Sequence, residues 1–142
     1  MKIGTMTNTG TETKNTMDSK KEQKAWREVK YSQKFLNAFR GMYVVGKTTR
    51  HFFIHITVAL VVIISAFCFH VSSIEWMMLV FAIGFVIVSE VFNTAIEIDI
   101  DLTSPEYHPY ARDTKDVAAA AVLLSVFVAV IIGLIIFLPK IL

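Results

Sequence analysis

Three long apolar runs constrain this chain more than any other feature. They cover about residues 52–71, 76–98 and 117–138. Each is long enough to cross ~30 Å of hydrocarbon as a helix. Backbone groups in lipid must be satisfied internally, so a spanning segment is a helix or part of a closed barrel. The runs are continuous rather than alternating, which predicts helices. Only 18% of the residues are charged and 54% are hydrophobic, whereas soluble domains carry about 25% charge. An all-α membrane protein is the class that fits. The connection at Ser72-Ser73-Ile74-Glu75 is very short and forces an antiparallel hairpin. The second connection, roughly residues 99–116, is longer and contains the turn-forming segment SPEYHP.

Charge is unevenly distributed. Residues 1–50 hold eleven of the fourteen Lys and Arg but only four of the twelve Asp and Glu. Basic residues beside spans favour the cytoplasmic side. The expected topology is therefore multi-pass, with a cytoplasmic N-terminus, an external first loop, a cytoplasmic 99–116 loop and an external C-terminus. Residues 1–24 are polar and Thr-rich and lack an apolar signal-peptide core, so a disordered tail is expected. Cys68 is the single cysteine, which excludes an internal disulfide. Its place in an apolar run suits a small hydrophobe.

Residues 25–49 have a different pattern. Val29, Phe35, Leu36, Phe39, Met42, Tyr43 and Gly46 recur at spacings of three and four, with Lys30, Lys34, Arg40 and Lys47 on much of the other face. A basic amphipathic helix of this kind suits the membrane interface. The same segment contains GMYVVGKT, residues 41–48, which fits the P-loop pattern G-x-x-x-x-G-K-[ST]. A phosphate cradle needs a preceding strand and small residues whose backbone can wrap round oxygens. Met42, Tyr43, Val44 and Val45 are bulky and the preceding residues are helical in period. The string reads as part of the surface helix.

The sharper signal is SEVFNTAIEIDID, residues 89–101. Glu90, Asn93 and Glu97 share one helical face, and Asp101 extends it by a turn. A carboxylate inside a span costs several kcal/mol, of order 3, unless it is paired or faces water. Glu97 falls near the cytoplasmic end of the second span, with Glu90 about 10 Å deeper at 1.5 Å per residue. Lys115 and Asp116 open the third span at the level of Glu97. An edge cluster of Glu97, Lys115 and Asp116 above a buried Glu90 is the expected arrangement. It suits chemistry between a water-soluble anion and a lipid. Edge carboxylates hold Mg²⁺, Lys neutralises phosphate, and a desolvated carboxyl is poised for proton transfer. Interhelical hydrogen bonds alone, or a proton or cation pathway, are the other readings of such a stripe. The small residues of Val117–Ala121 favour close helix approach.

These segments resemble a known family. E-x-x-N-x-x-I-E at Glu90–Glu97, S-P-E-Y-H-P at Ser104–Pro109 and K-D-x-A-A at Lys115–Ala119 look like the prokaryotic diacylglycerol kinase and undecaprenol kinase family. F-x-x-A-F-R-G at Phe35–Gly41 and the GLIIFLPK segment at Gly133–Lys140 also match, so the resemblance covers about residues 34–142. It implies a surface helix plus three transmembrane helices in a homotrimeric bundle, with active sites shared between subunits in the bacterial inner membrane. It implies transfer of the γ-phosphoryl of MgATP to a lipid alcohol, undecaprenol first and diacylglycerol as the alternative. No nucleic-acid partner is implied. By position, Glu90 is the general base and Asn93 helps to arrange the site. Lys30, Asn37, Glu97, Glu106, Tyr107, His108, Lys115 and Asp116 contact nucleotide, and Glu97 binds metal. His51, His55 and Ala119 join Glu90 at the lipid substrate.

One departure stands out. The family usually has K-T-E-R-N-F before the first span, whereas this chain has Lys47-Thr48-Thr49-Arg50-His51-Phe52. Thr49 thus occupies the position of a metal-binding Glu that works with Glu97. Loss of that carboxylate is expected to weaken metal binding, with Asp99 or Asp101 as possible compensation. A non-catalytic assembly protein or a cation-pathway subunit is the alternative from another class.

Overall fold

The computed structural model describes residues 31–142. The expectations for Lys30, the first residues of the surface helix and the 1–24 tail lie outside the described residues. Four helices follow in order: α1 Tyr31–Thr48, α2 Arg50–Cys68, α3 Ser73–Thr103 and α4 Pro109–Ile141. Among the described residues there is no strand. Helices α2, α3 and α4 are each long and apolar enough to cross a membrane. The octapeptide Gly41–Thr48 is helical throughout, so the P-loop spelling corresponds to no phosphate loop.

The chain divides into one unit ending at Arg40 and a second comprising Gly41–Leu142. In the first, Phe35 and Phe39 pack edge to face and Lys34 sits over the Tyr31 ring. The second carries the three long helices. A single extended residue, Thr49, separates α1 from α2 at φ −119° and ψ 118°. Its N–H still bonds Val45 O at 3.0 Å.

The α2–α3 hairpin is closed by local hydrogen bonds. His70 lies in the left-handed region at φ 49°. The His70 N–H reaches Phe67 O and the Val71 N–H reaches Ala66 O. That pair of bonds is the Schellman helix ending, in which glycine is the usual left-handed residue. Ser72 then caps α3: its hydroxyl accepts from the Glu75 N–H, and the Glu75 carboxylate accepts from the Ser72 N–H. Two termination signals back to back therefore leave room for very few loop residues.

Helix α3 packs against both α2 and α4. Near the hairpin, Ala66, Val71, Leu79 and Ile136 form a buried apolar cluster. Phe67 pairs with Trp76 and Phe69 with Phe137 around it. Lys140 closes this end on Glu75 at 3.1 Å. Small buried residues, Ala59, Ala82, Ala118 and Ser125, occur elsewhere along the contacts. They let helix backbones approach where lipid offers no hydrophobic drive to association. Of the Ala118–Ala121 run only Ala118 is buried.

Both α3 and α4 continue beyond the apolar runs. The charged residues 99–103 and 109–116 are helical, and only Ser104–His108 connect the two helices. Pro109 explains the early start of α4. It occupies the first helical position, where its missing N–H costs nothing.

Candidate active site

The acidic stripe on α3 is met by two different surroundings. At its inner end Glu90 is 2% exposed. Helix α2 brings His55 Nε2 to 3.9 Å from Glu90 Oε2. The other oxygen, Oε1, is buried and has no hydrogen-bond partner among the described residues. An unpartnered buried acceptor costs about 1–3 kcal/mol. That cost is recovered when a donor such as a hydroxyl arrives. Below His55 runs an apolar groove of about 190 Å³ between α2, α3 and α4, lined by Val58, Leu79, Val86, Val130 and Phe137 among others. His55 is the one polar side chain on its wall, and Val86 precedes Glu90 by one turn of α3.

One turn up, Asn93 Nδ2 donates to Glu97 Oε1 at 2.9 Å. Asn93 Oδ1 is buried without a partner among the described residues. Beside them Thr94, fully buried, donates its hydroxyl to Glu90 O at 2.9 Å. Its oxygen lies 3.0 Å from Thr49 Oγ1. A carbonyl only accepts, so the Thr94 proton is committed and Thr49 is the donor to Thr94. Thr94 and Glu97 are three apart on α3 and share a face. Position 49 therefore does neighbour the Glu97 face, but it brings a neutral hydroxyl there rather than a carboxylate.

Where α3 ends and α4 begins there is a cleft of about 250 Å³. Asp101, Glu106, Tyr107, His108, Arg112 and Lys115 are on its wall. Four of the expected nucleotide contacts, Glu106, Tyr107, His108 and Lys115, are thus together. Lys115 Nζ bonds Asp101 Oδ1. Asp116 turns instead to Arg112 at 3.9 Å. The Glu97–Lys115–Asp116 edge cluster is therefore replaced by two pairs, Asn93–Glu97 and Asp101–Lys115. The reason is the extra helical turn of α3, which puts Asp101 rather than Glu97 level with Lys115.

The remaining expected site residues are exposed. His51 and Ala119 are exposed, and neither is on the wall of the groove or the cleft. Asn37 is exposed in the first unit. Among the described residues no three His, Cys, Asp or Glu side chains group closely enough to hold a metal. Sequence reasoning assigned no site role to Thr94 or Arg112. Asp101 was legible as the next step of the α3 stripe and as a substitute for the missing carboxylate at position 49, not as the partner of Lys115.

A buried carboxylate facing a histidine of an apolar groove, on the helix whose end lines a polar cleft, suits transfer of a group from a soluble donor to a lipid hydroxyl. A model of the prokaryotic diacylglycerol kinase family matches residues 36–137. The chain belongs to that family. Undecaprenol kinase from Bacillus subtilis is 40% identical over 111 residues, covering 78% of this chain and 90% of that protein. A diacylglycerol kinase from Synechocystis is 38% identical over 109 residues, covering 76% of this chain and 62% of that protein. Diacylglycerol kinase from Escherichia coli is 36% identical over 76 residues, with 54% and 62% covered. The family makes this chain a membrane lipid kinase with ATP as co-substrate.

Proposed function

We propose that this lipid kinase transfers the γ-phosphoryl of ATP to undecaprenol, with Glu90 as general base. The observation that carries the reading is the buried Oε1 of Glu90, without a partner among the described residues, on a carboxylate that faces His55 of the apolar groove wall. The acceptor hydroxyl donates to Oε1 and its oxygen attacks the γ-phosphorus. The bond from phosphorus to the β-bridging oxygen breaks, and ADP leaves with that electron pair. Glu90 holds the proton, and exclusion of water keeps hydrolysis from competing.

Phosphoryl transfer depends mainly on positioning and charge neutralisation. In the cleft Lys115 meets the phosphates, exchanging part of its bond to Asp101 for them. Tyr107 and His108 offer aromatic faces, and Glu106 offers a hydrogen-bond acceptor. Asn93 holds Glu97 through its amide N–H. Glu97 is the carboxylate suited to Mg²⁺, which supplies charge neutralisation on phosphate oxygens when bound with ATP. Mg²⁺ usually takes one or two carboxylates plus substrate phosphates rather than an all-protein cage. A hard oxygen donor on the cleft side of Glu90 fits that mode.

The choice of undecaprenol rests on the Bacillus subtilis relative, matched over most of its length. Diacylglycerol is the second reading, supported by the relatives that bear that name. The same reading includes a homotrimer in the inner membrane with a cytoplasmic N-terminus. There α1 lies in the interface on Phe35, Leu36, Phe39 and Met42, which are all exposed. Purified protein with γ-labelled ATP, offered a polyprenol or a diacylglycerol in matched micelles, tests it. Label in the polyprenol phosphate is expected. Preferential label in phosphatidic acid would replace the acceptor, and label in neither would refute the kinase site.

A further inference from the structure

The general base creates a difficulty that the rest of the site does not resolve. Each turnover leaves a proton on Glu90, which is 2% exposed. The next turnover requires that proton to reach water. The neighbouring groups on α3 do not offer a path, since the Thr94 hydroxyl is tied to Glu90 O and Asn93 Nδ2 to Glu97. Across the interface the α4 residues on the groove wall, Val126, Ala129, Val130, Gly133 and Phe137, do not titrate. On α2, His51 is exposed one turn before His55 and has no ion pair within 4 Å among the described residues. Among the described residues, His55 is the titratable side chain that faces Glu90. Its Nε2 faces Glu90 Oε2 at 3.9 Å, and its side chain is 19% exposed against 3% for Glu90.

We propose that His55 is the proton outlet of the reaction, taking from Glu90 the proton lost by the acceptor hydroxyl and releasing it to water. The inference rests on the reading of Glu90 as base. The two carboxylate oxygens then have separate duties: Oε1 receives the hydroxyl proton and Oε2 faces the imidazole. Transfer from Glu90 to His55 requires the pair to close by about 1 Å to hydrogen-bond distance. One N–H bond forms and one O–H bond breaks. The imidazolium next to the carboxylate is stabilised by the opposite charge. Loss of its proton to water restores the resting pair, with no further reactant consumed.

The test is the pH dependence of kcat at saturating MgATP and lipid, in the wild-type protein and in His55→Gln and His55→Asn. Two groups must be unprotonated for the wild type to turn over. Below both macroscopic ionisations of the pair, the acid limb of log kcat against pH then approaches a slope of about two. In both variants the slope is expected to fall to about one, with kcat lowered about tenfold to a hundredfold and the lipid KM little changed. A raised lipid KM with unchanged kcat would make His55 a substrate contact only and overturn the proposal. A lowered kcat with the wild-type pH profile would make it structural. A wild-type acid limb described throughout by a single ionisation overturns the proposal whether or not the variants fold. Glu90→Gln separates the two readings: activity retained there removes the base itself, whereas activity lost there with a normal His55→Gln profile removes only the outlet.

Discussion

Replacing Thr94 by Val should destabilise the protein more than replacing its partner Thr49 by Val, although both remove one hydroxyl from the same contact. Thr94→Val conserves shape at a fully buried position. It leaves the Thr49 hydroxyl, on a residue only 8% exposed, without its acceptor. An orphaned buried hydroxyl costs about 1–3 kcal/mol. Thr49→Val leaves Thr94 with its bond to Glu90 O, so only the net value of one hydrogen bond is lost, about 0.5–1.5 kcal/mol. Thr49 has extended backbone, which suits a β-branched residue, and makes no side-chain cap to α2. No capping energy is therefore lost with it. The double variant replaces both partners by apolar groups and should be less damaging than the sum, with a coupling of about 1–2 kcal/mol. Reversible unfolding of the detergent-solubilised protein measures all four corners of the cycle. Additive effects, or Thr49→Val as the more harmful single change, would refute the assigned donor direction and with it the tie between the α1–α2 junction and the helix bearing Glu90.

Three further outcomes are expected. Glu90→Gln should abolish lipid phosphorylation while leaving oligomer assembly intact, checked by label transfer and by size in mild detergent. Thr49→Glu should lower the Mg²⁺ concentration giving half-maximal activity, because position 49 neighbours the Glu97 face; the longer carboxylate at a buried site should also lower the melting temperature. His70→Gly should stabilise the hairpin by about 0.5–1 kcal/mol, the left-handed strain relieved less the added backbone entropy of glycine, read as a higher unfolding midpoint.

The helices were legible in the sequence because lipid leaves a long apolar run little choice. Their lengths were less so. Residues 99–103 and 109–116 carry charge and flank SPEYHP, so hydropathy marks them as connection, yet both are helical. Pro109 was the available signal, read as a turn residue when it is a helix start. That error moved the site. With α3 a turn longer, Lys115 meets Asp101 rather than Glu97. The Glu90–Asn93–Glu97 stripe was readable from helical period alone, and Asn93 and Glu97 do bond within it. His55 opposite Glu90, and Thr49 against Thr94, were not readable in that way. They depend on the axial offset of α2 along α3, which no spacing within either helix records.

The hairpin between α2 and α3 has a consequence for biogenesis. The backbone N–H groups of residues 69–72 all find acceptors within the turn itself. A turn so closed carries little unsatisfied backbone into hydrocarbon, where each open donor would cost several kcal/mol, of order 4. The α2–α3 pair is thus equipped to enter the bilayer as one finished unit, before α4 is made and before another copy of the chain is encountered. The Glu90 site would then be half assembled at insertion, with its base and its imidazole already facing each other and only the nucleotide side still to come.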